Sequence, residues 1–389
     1  KVRAAVFDDG RRRVAIVGID AAFIRRPYVL ACRKAIEEKC AIPPQCVLIA
    51  ASHSHSSGPT GMVMPGEYDH APPLVQDLAY KKSSCADPIY MERVVKAVVE
   101  AVSEADAERE EALCGVGKGI EDKVAFNRRF RMKNGLTYTH PRPGNPDIVE
   151  VAGPIDPEVG VIGCWDGAGR LAGCLVNYAC HATTSPNGIS ANWIYYLEQA
   201  IGGVMGPQAV VIFLPGACGD VTQVDNLSPH EAPSGEQAAR RVGGRVGAEA
   251  IKVLLSVHPG AEVPLDASST VLRLKRRAPS PARLRQAWEI VRRGPDKFDP
   301  AGWIFAKETV MLDSLLKAAP EAEAEVQALQ VGPVALLANP AEFFVQFGLD
   351  IKKKSNFPLT FPVELANGCV GYVPTEEAFG PRGGGYETR

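Results

Sequence analysis

Two histidines stand two positions apart in the stretch LIAASHSHSSGPTG, residues 48–61. The chain has only seven histidines, so this doublet directly after an apolar run calls for an explanation. Side chains at positions i and i+2 of an extended strand point to the same side. The pattern therefore predicts that His53 and His55 face one cavity. Imidazole binds metals and exchanges protons near neutral pH, so the pair could serve either chemistry.

Two further residues could complete a metal site with this doublet. His181 follows a predicted strand, and Glu342 begins a predicted helix after another strand. Two imidazoles and one carboxylate leave a position open for water, as in several catalytic zinc sites. The spacing is neither that of an HExxH helix nor that of a zinc finger. From these residues alone, satisfied histidines beside a solvated glutamate explain the pattern equally well.

Other chemistry-bearing patterns in the sequence are weaker. Cys180 and His181 are sequence neighbours, which rarely face each other in a strand. The serines at 56–57 lack the GxSxG pattern of a nucleophile elbow. The segment GVGKG at 115–119 fits neither dinucleotide nor phosphate loops and is interpreted as a turn at a strand end. The segment GACGDV at 216–221 is interpreted as a tight turn, which either offers N–H groups to an anion or has no chemistry.

The candidate residues follow strand-like segments that alternate with helical segments. Runs rich in β-branched residues predict strands at 13–20, 46–52, 159–165, 170–180, 208–216, 269–276 and 331–340. Helical patterns occur at 26–39, 90–105, 236–255, 281–293, 305–318 and 341–354. The alternation indicates an α/β fold with a mixed, mostly parallel sheet flanked by helices. In such sheets the site lies at the carboxyl ends of strands.

Composition limits the class of protein. The chain has 389 residues, which suits one large α/β domain or two smaller ones, and its net charge of −2 gives no footprint for nucleic acid binding. No apolar run reaches the roughly 18–20 residues of a transmembrane segment. The ten cysteines form no CxxC pair and are interpreted as buried free thiols.

The organisation of the chain is predicted as one domain. Residues 1–389 are interpreted as a single catalytic domain, with a helical insertion at about 278–322. The sequence begins at Lys1 without a methionine. Localisation is therefore open: secreted or periplasmic if an upstream signal peptide was removed, and cytoplasmic otherwise.

Six short motifs, in order along most of the chain, resemble the neutral/alkaline non-lysosomal ceramidases and their shorter bacterial relatives. The first is the histidine doublet, which is similar to the family's THTHSGPGG loop. The others are AFNRRF at 125–130, CHATTSPNGISANW at 180–193, FLPGACGDVTQ at 213–223, NPAEFF at 339–344 and GYVPTEEAFGPRGGGYE at 371–387. The resemblance implies the catalytic domain of such an enzyme, without the C-terminal immunoglobulin-like domain.

The resemblance also implies a site and an activity. One Zn²⁺ per chain would be bound by His53, His181, Glu342 and Tyr372. A metal-activated water would then hydrolyse the amide bond of a small N-acyl substrate, with a lipid such as ceramide among the candidates. The implied catalytic residues are His55, which lies near the metal without binding it, and Arg128 and Tyr386, which hold the substrate and the developing oxyanion.

Two positions depart from the family's motifs. Thr222 replaces a serine, so a serine nucleophile is not expected, and Asn192 replaces an aspartate beside the substrate. These two residues, with Asn127 and Asp220, are expected around the substrate or behind the ligands. Two alternatives remain open at this point: a zinc hydrolase of another amide, peptide or ester, and a catalytically degenerate binding module.

Overall fold

The computed structural model describes residues 1–231, 233–261 and 263–389. In these ranges the chain forms nine α-helices and eighteen β-strands. The helices are α1 Arg26–Cys40, α2 Pro73–Lys81, α3 Pro88–Ala107, α4 Trp193–Met205, α5 Gly235–Leu254, α6 Pro281–Arg293, α7 Pro300–Ala318, α8 Val345–Lys354 and α9 Glu376–Phe379. The strands are β1 Val2–Asp8, β2 Arg13–Ile19, β3 Val47–Ala51, β4 Leu113–Ile120, β5 Phe126–Asn127, β6 Arg129–Met132, β7 Thr137–Thr139, β8 Ile148–Val151, β9 Glu158–Trp165, β10 Leu171–Tyr178, β11 Val210–Pro215, β12 Val221–Thr222, β13 Leu265–Lys275, β14 Glu321–Val331, β15 Val334–Ala338, β16 Glu342–Phe343, β17 Leu359–Val363 and β18 Tyr372–Val373.

The chain divides into two compact units. The first consists of Lys1–Gly58, Val94–Thr270 and Glu325–Thr388, and the second of Pro59–Arg93, Val271–Ala324 and Arg389. The second unit contains α2, α6 and α7, and α6 and α7 lie inside the predicted helical insertion. The division of the chain into catalytic domain and insertion stays a prediction. Over the described ranges, no helix combines the length and apolar character that a bilayer crossing requires.

The sheets are mixed, and the expectation of a mostly parallel sheet is not confirmed. The longer sheets have the strand orders β1-β2-β3, β11-β10-β9-β4 and β13-β14-β15-β17. Parallel pairing joins β2 to β3, β10 to β11, β15 to β17 and β16 to β18. Tight connections explain the antiparallel pairs β1–β2, β9–β10 and β14–β15, because strands joined by a few residues cannot run parallel. The turn between β1 and β2, for example, contains Gly10 at φ 79°.

The glycines of GVGKG lie inside β4, so the interpretation of this segment as a turn is wrong. Gly115 and Gly117 share one strand face. A Cβ at Gly115 would lie 2.8 Å from Val257, and one at Gly117 would lie 2.8 Å from Val253. Because alternate residues of β4 are glycines, one face of this strand has no side chains there, and the end of α5 packs closely on it.

A second close approach joins α4 to α5 over the main core. A Cβ on Gly243 would overlap the carbonyl oxygen of Trp193. Trp193 itself is fully buried and meets the ring of Phe213 edge-on at 4.7 Å between centroids. The packing of α4 and α5 on the β9-β10-β11 sheet therefore fixes the start of α4, which follows the second histidine loop.

A buried ion pair ties α1 to β14. The guanidinium of Arg33 donates to both carboxylate oxygens of Glu325, at 2.7 and 2.9 Å, and to the carbonyl oxygen of Val47 at 2.7 Å. Arg26 donates to the same carboxylate at 2.6 Å. Both Arg33 and Glu325 are only 3% exposed. Burial opposes the charge of Arg33 and lowers its pKa, so the carboxylate is needed to hold it.

We expect Glu325→Ala to lower the free energy of unfolding by about 3–5 kcal/mol, because it leaves the Arg33 charge buried without its anion. Urea denaturation measures this change. Glu38→Ala is the matched control, because Glu38 forms an exposed ion pair with Lys34 at 4.0 Å on the same helix. The control should change the free energy by less than about 1 kcal/mol. Equal effects of the two substitutions would contradict the prediction.

Candidate metal centre

The histidine doublet is brought together by a turn, not by a strand. Strand β3 ends at Ala51, before either histidine. His53 has a left-handed backbone with φ 61°, which is uncommon for a residue with a side chain. The N–H of His55 then donates to the carbonyl oxygen of Ala182 at 3.1 Å. The two imidazoles do lie together, but the prediction that a shared strand face brings them together is wrong.

Three histidines and one glutamate converge at this point. Glu342 Oε2 lies 3.2 Å from His53 Nε2 and 3.3 Å from His181 Nε2. His55 Nε2 lies 3.2 Å from His53 Nε2. The ligand atoms of the three histidines lie within 4.8 Å of one another, so the group could hold a metal ion.

Glu342 does not begin a helix, as the sequence pattern predicts, and this expectation is corrected. It lies in the short strand β16, and α8 begins only at Val345. Strand β16 pairs in parallel with β18, and the register places Glu342 opposite Tyr372. A helix starting at 341 would lose this pairing, which is what brings the carboxylate and the phenol to the same place.

The imidazole tautomers favour a cation at the centre. Nδ1 of His53 lies 2.9 Å from the carbonyl oxygen of Ala22, and Nδ1 of His181 lies 2.7 Å from that of Cys218. A carbonyl oxygen only accepts, so each Nδ1 carries the proton and each Nε2 directs a lone pair inward. Glu342 Oε2, also buried, has no hydrogen-bond donor among the described residues. These lone pairs face one another without a proton between them, so the residues fit a bound metal ion.

The charges around Glu342 lead to the same conclusion. Burial opposes its ionisation, but His53 and His181 outweigh burial and hold the pKa of Glu342 well below its usual range. Glu342 in turn raises the pKa of His53 against the effect of burial. Burial and the nearby Arg128 hold the pKa of His181 well below its usual range. An ionised carboxylate beside two imidazoles, of which His181 resists a second proton, is a donor set suited to a divalent cation.

His55 differs from the other two histidines. It keeps an exposed surface, whereas His53 and His181 are buried. The surrounding atoms still desolvate its ring, and with the neighbouring His53 they lower the pKa of His55 to about 4. Among the described residues, none hydrogen-bonds to its Nδ1. The ring is therefore close to the centre but not fixed by a carbonyl oxygen in the way that a ligand usually is.

Arg128 extends from the end of β5 toward the metal centre. Its Nη1 lies 3.4 Å from His181 Nε2, and its Nη2 donates to the carbonyl oxygen of Gly219 at 2.7 Å. The same Nη2 lies 3.3 Å from the hydroxyl of Tyr372. Burial opposes its charge, but Tyr372 and Glu387 outweigh burial and raise the pKa of Arg128. A permanent cation therefore stands beside the histidines.

Both implied tyrosines lie at this centre. Burial and the nearby Glu342 raise the pKa of Tyr372 well above its usual value. The ring of Tyr386 meets that of Tyr372 edge-on, with 5.7 Å between centroids, and is 52% exposed. Tyr372 is thus placed inside the centre and Tyr386 at its rim. Their implied roles, as a metal ligand and a substrate contact, stay predictions.

Asn127 and Asp220 form a buried pair behind Arg128. The Asn127 amide donates to Asp220 Oδ2 at 2.8 Å and to the carbonyl oxygen of Pro154 at 2.9 Å. The other carboxylate oxygen of Asp220 accepts from the N–H of Val345 at 2.8 Å. The Asp220 carbonyl oxygen accepts from the N–H of Arg128 at 2.8 Å. These contacts make the pair a framework for the arginine.

Asn192 and Thr222 also have local hydrogen bonds. The buried Asn192 has φ 59° and caps α4 by accepting from the N–H of Trp193, and its side chain accepts from Thr184 at 2.5 Å. The indole of Trp193 donates to the carbonyl oxygen of His181 at 3.1 Å, which links this cap to the metal centre. The hydroxyl of Thr222, which is 1% exposed, accepts from the N–H of Val224 at 3.4 Å.

Two acidic residues at the centre were not found by sequence reasoning. Glu387 pairs with Arg128, and its only sequence signal is its position directly after Tyr386 in the last motif. Glu364 accepts from the N–H and thiol of Cys218, at 3.0 and 2.9 Å, next to the carbonyl oxygen that holds His181. Burial raises the pKa of Glu364 to about 8. The signal in its sequence, ELANG after an apolar strand, is too general to indicate such a role.

Comparison with known proteins gives matches among solved structures. No protein-family model matches the chain, and no curated protein matches it. A structure described as a ceramidase complexed with C2 matches with a TM-score of 0.69 and 20% identity over 100% of this chain and 66% of the other. Neutral ceramidase from Pseudomonas aeruginosa matches with a TM-score of 0.64 and 19% identity over 97% of this chain and 63% of the other. The chain thus spans just under two thirds of those proteins, and over that length it has the fold of the neutral ceramidases, as the resemblance of its motifs predicts.

Proposed function

We propose that this chain is a zinc-dependent hydrolase that cleaves the amide bond of an N-acyl substrate, in the manner of a ceramidase. One observation carries the proposal. Glu342 Oε2 lies 3.2 Å from His53 Nε2 and 3.3 Å from His181 Nε2, and the lone pairs of all three atoms are directed at the same point. The shared fold supports the ceramidase type but says nothing about activity by itself.

The donor set favours zinc among the common metals. Imidazole and carboxylate ligands in a two-to-one ratio, with an open position, are typical of catalytic zinc. Tyr372, opposite Glu342 in the β16–β18 register, would complete the ligand set. When bound, zinc supplies Lewis acidity, which makes water nucleophilic near neutral pH and polarises a carbonyl oxygen.

The other residues act on the substrate in this proposal. Arg128 places a fixed positive charge where negative charge develops on the carbonyl oxygen, which is commonly the largest catalytic contribution in acyl transfer. Tyr386 adds a hydroxyl at the exposed rim. His55, with no carbonyl partner on Nδ1, is free to accept a proton from the attacking water and deliver it to the leaving amine. The products are a carboxylic acid and an amine.

The proposal specifies an N-acyl bond in the substrate and leaves the rest of the substrate open. The matched ceramidases are only 19–20% identical to this chain, so ceramide itself is one candidate among lipid and non-lipid amides. A zinc hydrolase of peptides or esters, or a degenerate binding module, would use the same scaffold. Asn192 and Thr222, the positions that depart from the family motifs, have structural hydrogen bonds and so do not favour the degenerate module.

A substrate panel with metal removal tests the proposal. N-acyl amines of short and long acyl chain, a peptide set and an ester set are incubated with the protein, with and without a chelator. We expect hydrolysis of an N-acyl amine, loss of that activity with the chelator, and recovery when zinc is returned. Cleavage of only peptides or esters would change the substrate class from N-acyl amines to peptides or esters. Metal binding without any turnover would favour the binding module.

We expect Thr222→Ala to retain at least about half of the wild-type kcat, because its hydroxyl accepts a backbone hydrogen bond and is buried. Steady-state kinetics on the best substrate of the panel measures this. Thr222→Ser is the matched control, because it keeps the hydroxyl and restores the family's residue. Abolition of activity in Thr222→Ala alone, with an unchanged circular dichroism spectrum, would revive a hydroxyl nucleophile.

A further inference from the structure

Glu387 is an acidic residue with a fully enclosed side chain beside the metal centre. Its side chain is 0% exposed and accepts three hydrogen bonds. They come from Arg128 Nε to Oε1 at 2.8 Å, from Arg129 Nη1 to Oε2 at 3.1 Å and from the Thr139 hydroxyl to Oε2 at 2.8 Å. A buried carboxylate is stable only when it is paired in this way. It therefore links the C-terminal segment to β6 and β7.

The three nitrogen atoms of the Arg128 guanidinium have different partners. Its Nε edge is engaged by Glu387, while Nη2 bonds to Gly219 and Nη1 is directed at His181. A guanidinium is a planar fork, so fixing one edge fixes the direction of the remaining donors. Without the carboxylate, only the contacts of Nη2 with Gly219 and Tyr372 would orient the guanidinium, and the fork could pivot about Nη2 and turn Nη1 away from the centre.

Arg129 shows that the carboxylate acts differently on its two partners. The guanidinium of Arg129 lies over the ring of Phe344 at 4.9 Å and donates to the carbonyl oxygen of Gly384 at 2.8 Å. It thus has contacts of its own that hold it away from the histidines. Arg128 also has a carbonyl partner, Gly219, but its Nη1 is the donor that reaches the metal centre, so the effect of Glu387 on orientation matters there.

We infer that Glu387 is a positioning residue, which aims the Arg128 guanidinium at the carbonyl oxygen of the substrate. The inference rests on the proposed function, because it assigns a purpose to Arg128 in amide hydrolysis. Glu387 does not itself touch the substrate. It acts through Arg128, and it also anchors the segment that carries Tyr386.

The test uses Glu387→Gln in the full-length, zinc-loaded protein. We expect unchanged zinc content, a KM within about threefold of wild type, and a kcat lower by about 10- to 100-fold, as small misplacements of a catalytic group can cause. Glu325→Gln is the matched control, because Glu325 is also a buried carboxylate held by two arginines. It should lower stability without lowering kcat.

A double-mutant cycle separates positioning from a general structural role. In the Arg128→Ala background, Glu387→Gln should change kcat by less than about twofold, because its effect has already been removed. Calorimetric titration with hexanoate, which stands for the acid product, adds a readout without turnover. We expect weaker binding in Glu387→Gln and Arg128→Ala, and wild-type binding in Glu325→Gln.

The outcomes distinguish this inference from the proposed function. Wild-type protein that hydrolyses no N-acyl amine would refute the proposed function. Active wild-type protein with normal kcat and hexanoate binding in Glu387→Gln would refute the inference alone. Full additivity of the two substitutions would also refute it, because it would give Glu387 an effect independent of Arg128.

A separate observation concerns two thiols on the β9–β4 strand pair. Cys114 and Cys164 are partners in the register of β4 and β9, and their sulfur atoms are 3.3 Å apart. The N–H and C=O of Cys114 both pair with Gly260, so the Cys114–Cys164 pair has no hydrogen bonds between its backbones. Such pairs have Cα atoms about 4.5 Å apart, which lies inside the range of disulfides.

We infer that Cys114 and Cys164 are a site of disulfide formation by a small disulfide oxidant such as oxidised glutathione. The Cys114 thiolate attacks one sulfur of the oxidant and releases one glutathione thiol. Cys164 then attacks the Cys114 sulfur and releases the second. The oxidant takes up two electrons and two protons, and one bond forms between the strands. The hydrogen bond from Cys164 lowers the pKa of Cys114, which fits its role as the attacking thiol.

Mass spectrometry tests this second inference on the native full-length chain. After incubation with oxidised glutathione, we expect the ten free thiols to fall to eight, and digestion to yield one linked peptide pair containing both residues. In Cys164→Ser, the attack should stop at a glutathione adduct on Cys114. A native protein that keeps all ten thiols, or that links other cysteines, would refute the inference.

Discussion

The variants His53→Ala and His181→Ala are expected to lose bound zinc and hydrolytic activity together. Each substitution removes one inward lone pair. It also removes one of the two imidazole nitrogens next to the buried Glu342 Oε2. The three remaining ligands, only one of them an imidazole, hold zinc much more weakly than the full set of four. We expect zinc content below about a tenth of wild type after dialysis and turnover at the background level. Elemental analysis and the substrate panel measure the two quantities.

The control for this prediction is His258→Ala, which removes an exposed histidine far along the sequence from the metal centre motifs. It should keep full zinc content and activity. Full zinc occupancy in His53→Ala and in His181→Ala would show that the ligand assignment is wrong. Loss of zinc with retained activity would show instead that hydrolysis does not depend on the metal.

The variant His55→Ala is expected to keep zinc and lose most of its turnover. His55 contacts His53 but has neither a carbonyl partner on Nδ1 nor a described contact with Glu342, so its removal should leave the ligand set whole. A general acid or base commonly contributes a factor of about 10²–10⁴ to the rate. We expect kcat to fall by that factor, while KM changes by less than about fivefold.

Competition with a coloured chelator checks the first half of this prediction, and steady-state kinetics the second. His55→Gln is the matched variant, because it keeps a polar side chain of similar reach but cannot exchange protons. It should bind zinc as wild type does and turn over as slowly as His55→Ala. A tenfold or greater loss of zinc affinity in His55→Ala would place His55 among the ligands, which its distance of 3.2 Å from His53 also permits.

The structure brings together residues that the sequence singled out, but not in the way that the sequence suggested. The doublet at 53 and 55 suggested a shared strand face, yet the strand ends before it and a left-handed φ of 61° at His53 turns the chain. Such a conformation leaves no periodicity to detect. It follows from the bridge between the two histidine loops, in which residue 54 pairs with 182.

Contacts between distant parts of the chain bring some site residues together, and the sequence alone could not predict these contacts. Glu342 and Tyr372 are 30 positions apart, and only the pairing of β16 with β18 makes them neighbours. Each strand is two residues long, too short for a hydrophobic pattern. Tyr372 was therefore found only through the family resemblance, and Glu387 was not found at all, because a buried glutamate cannot be told from an exposed one in a loop.

The elements with a strong pattern of their own were predicted well. Helix α6 has the predicted bounds, and the predicted strand at 13–20 is β2, Arg13–Ile19. The sheet type was predicted less well, because the alternation of strands and helices was taken to indicate a mixed sheet with mostly parallel pairing. Hairpins such as β14–β15 contain no helix, and a turn with Gly332 at φ 58° makes that pair antiparallel.

The two-residue pairing of β16 with β18 also makes the centre sensitive to the length of the chain. Glu342 faces Tyr372 because the segment between them has one particular number of residues. Deleting a single residue between 366 and 371 would bring Val373 to the position opposite the carboxylate, and strand alternation would turn the phenol to the other face. The number of residues between these two motifs therefore decides whether the carboxylate and the phenol meet, in addition to the identity of the two residues.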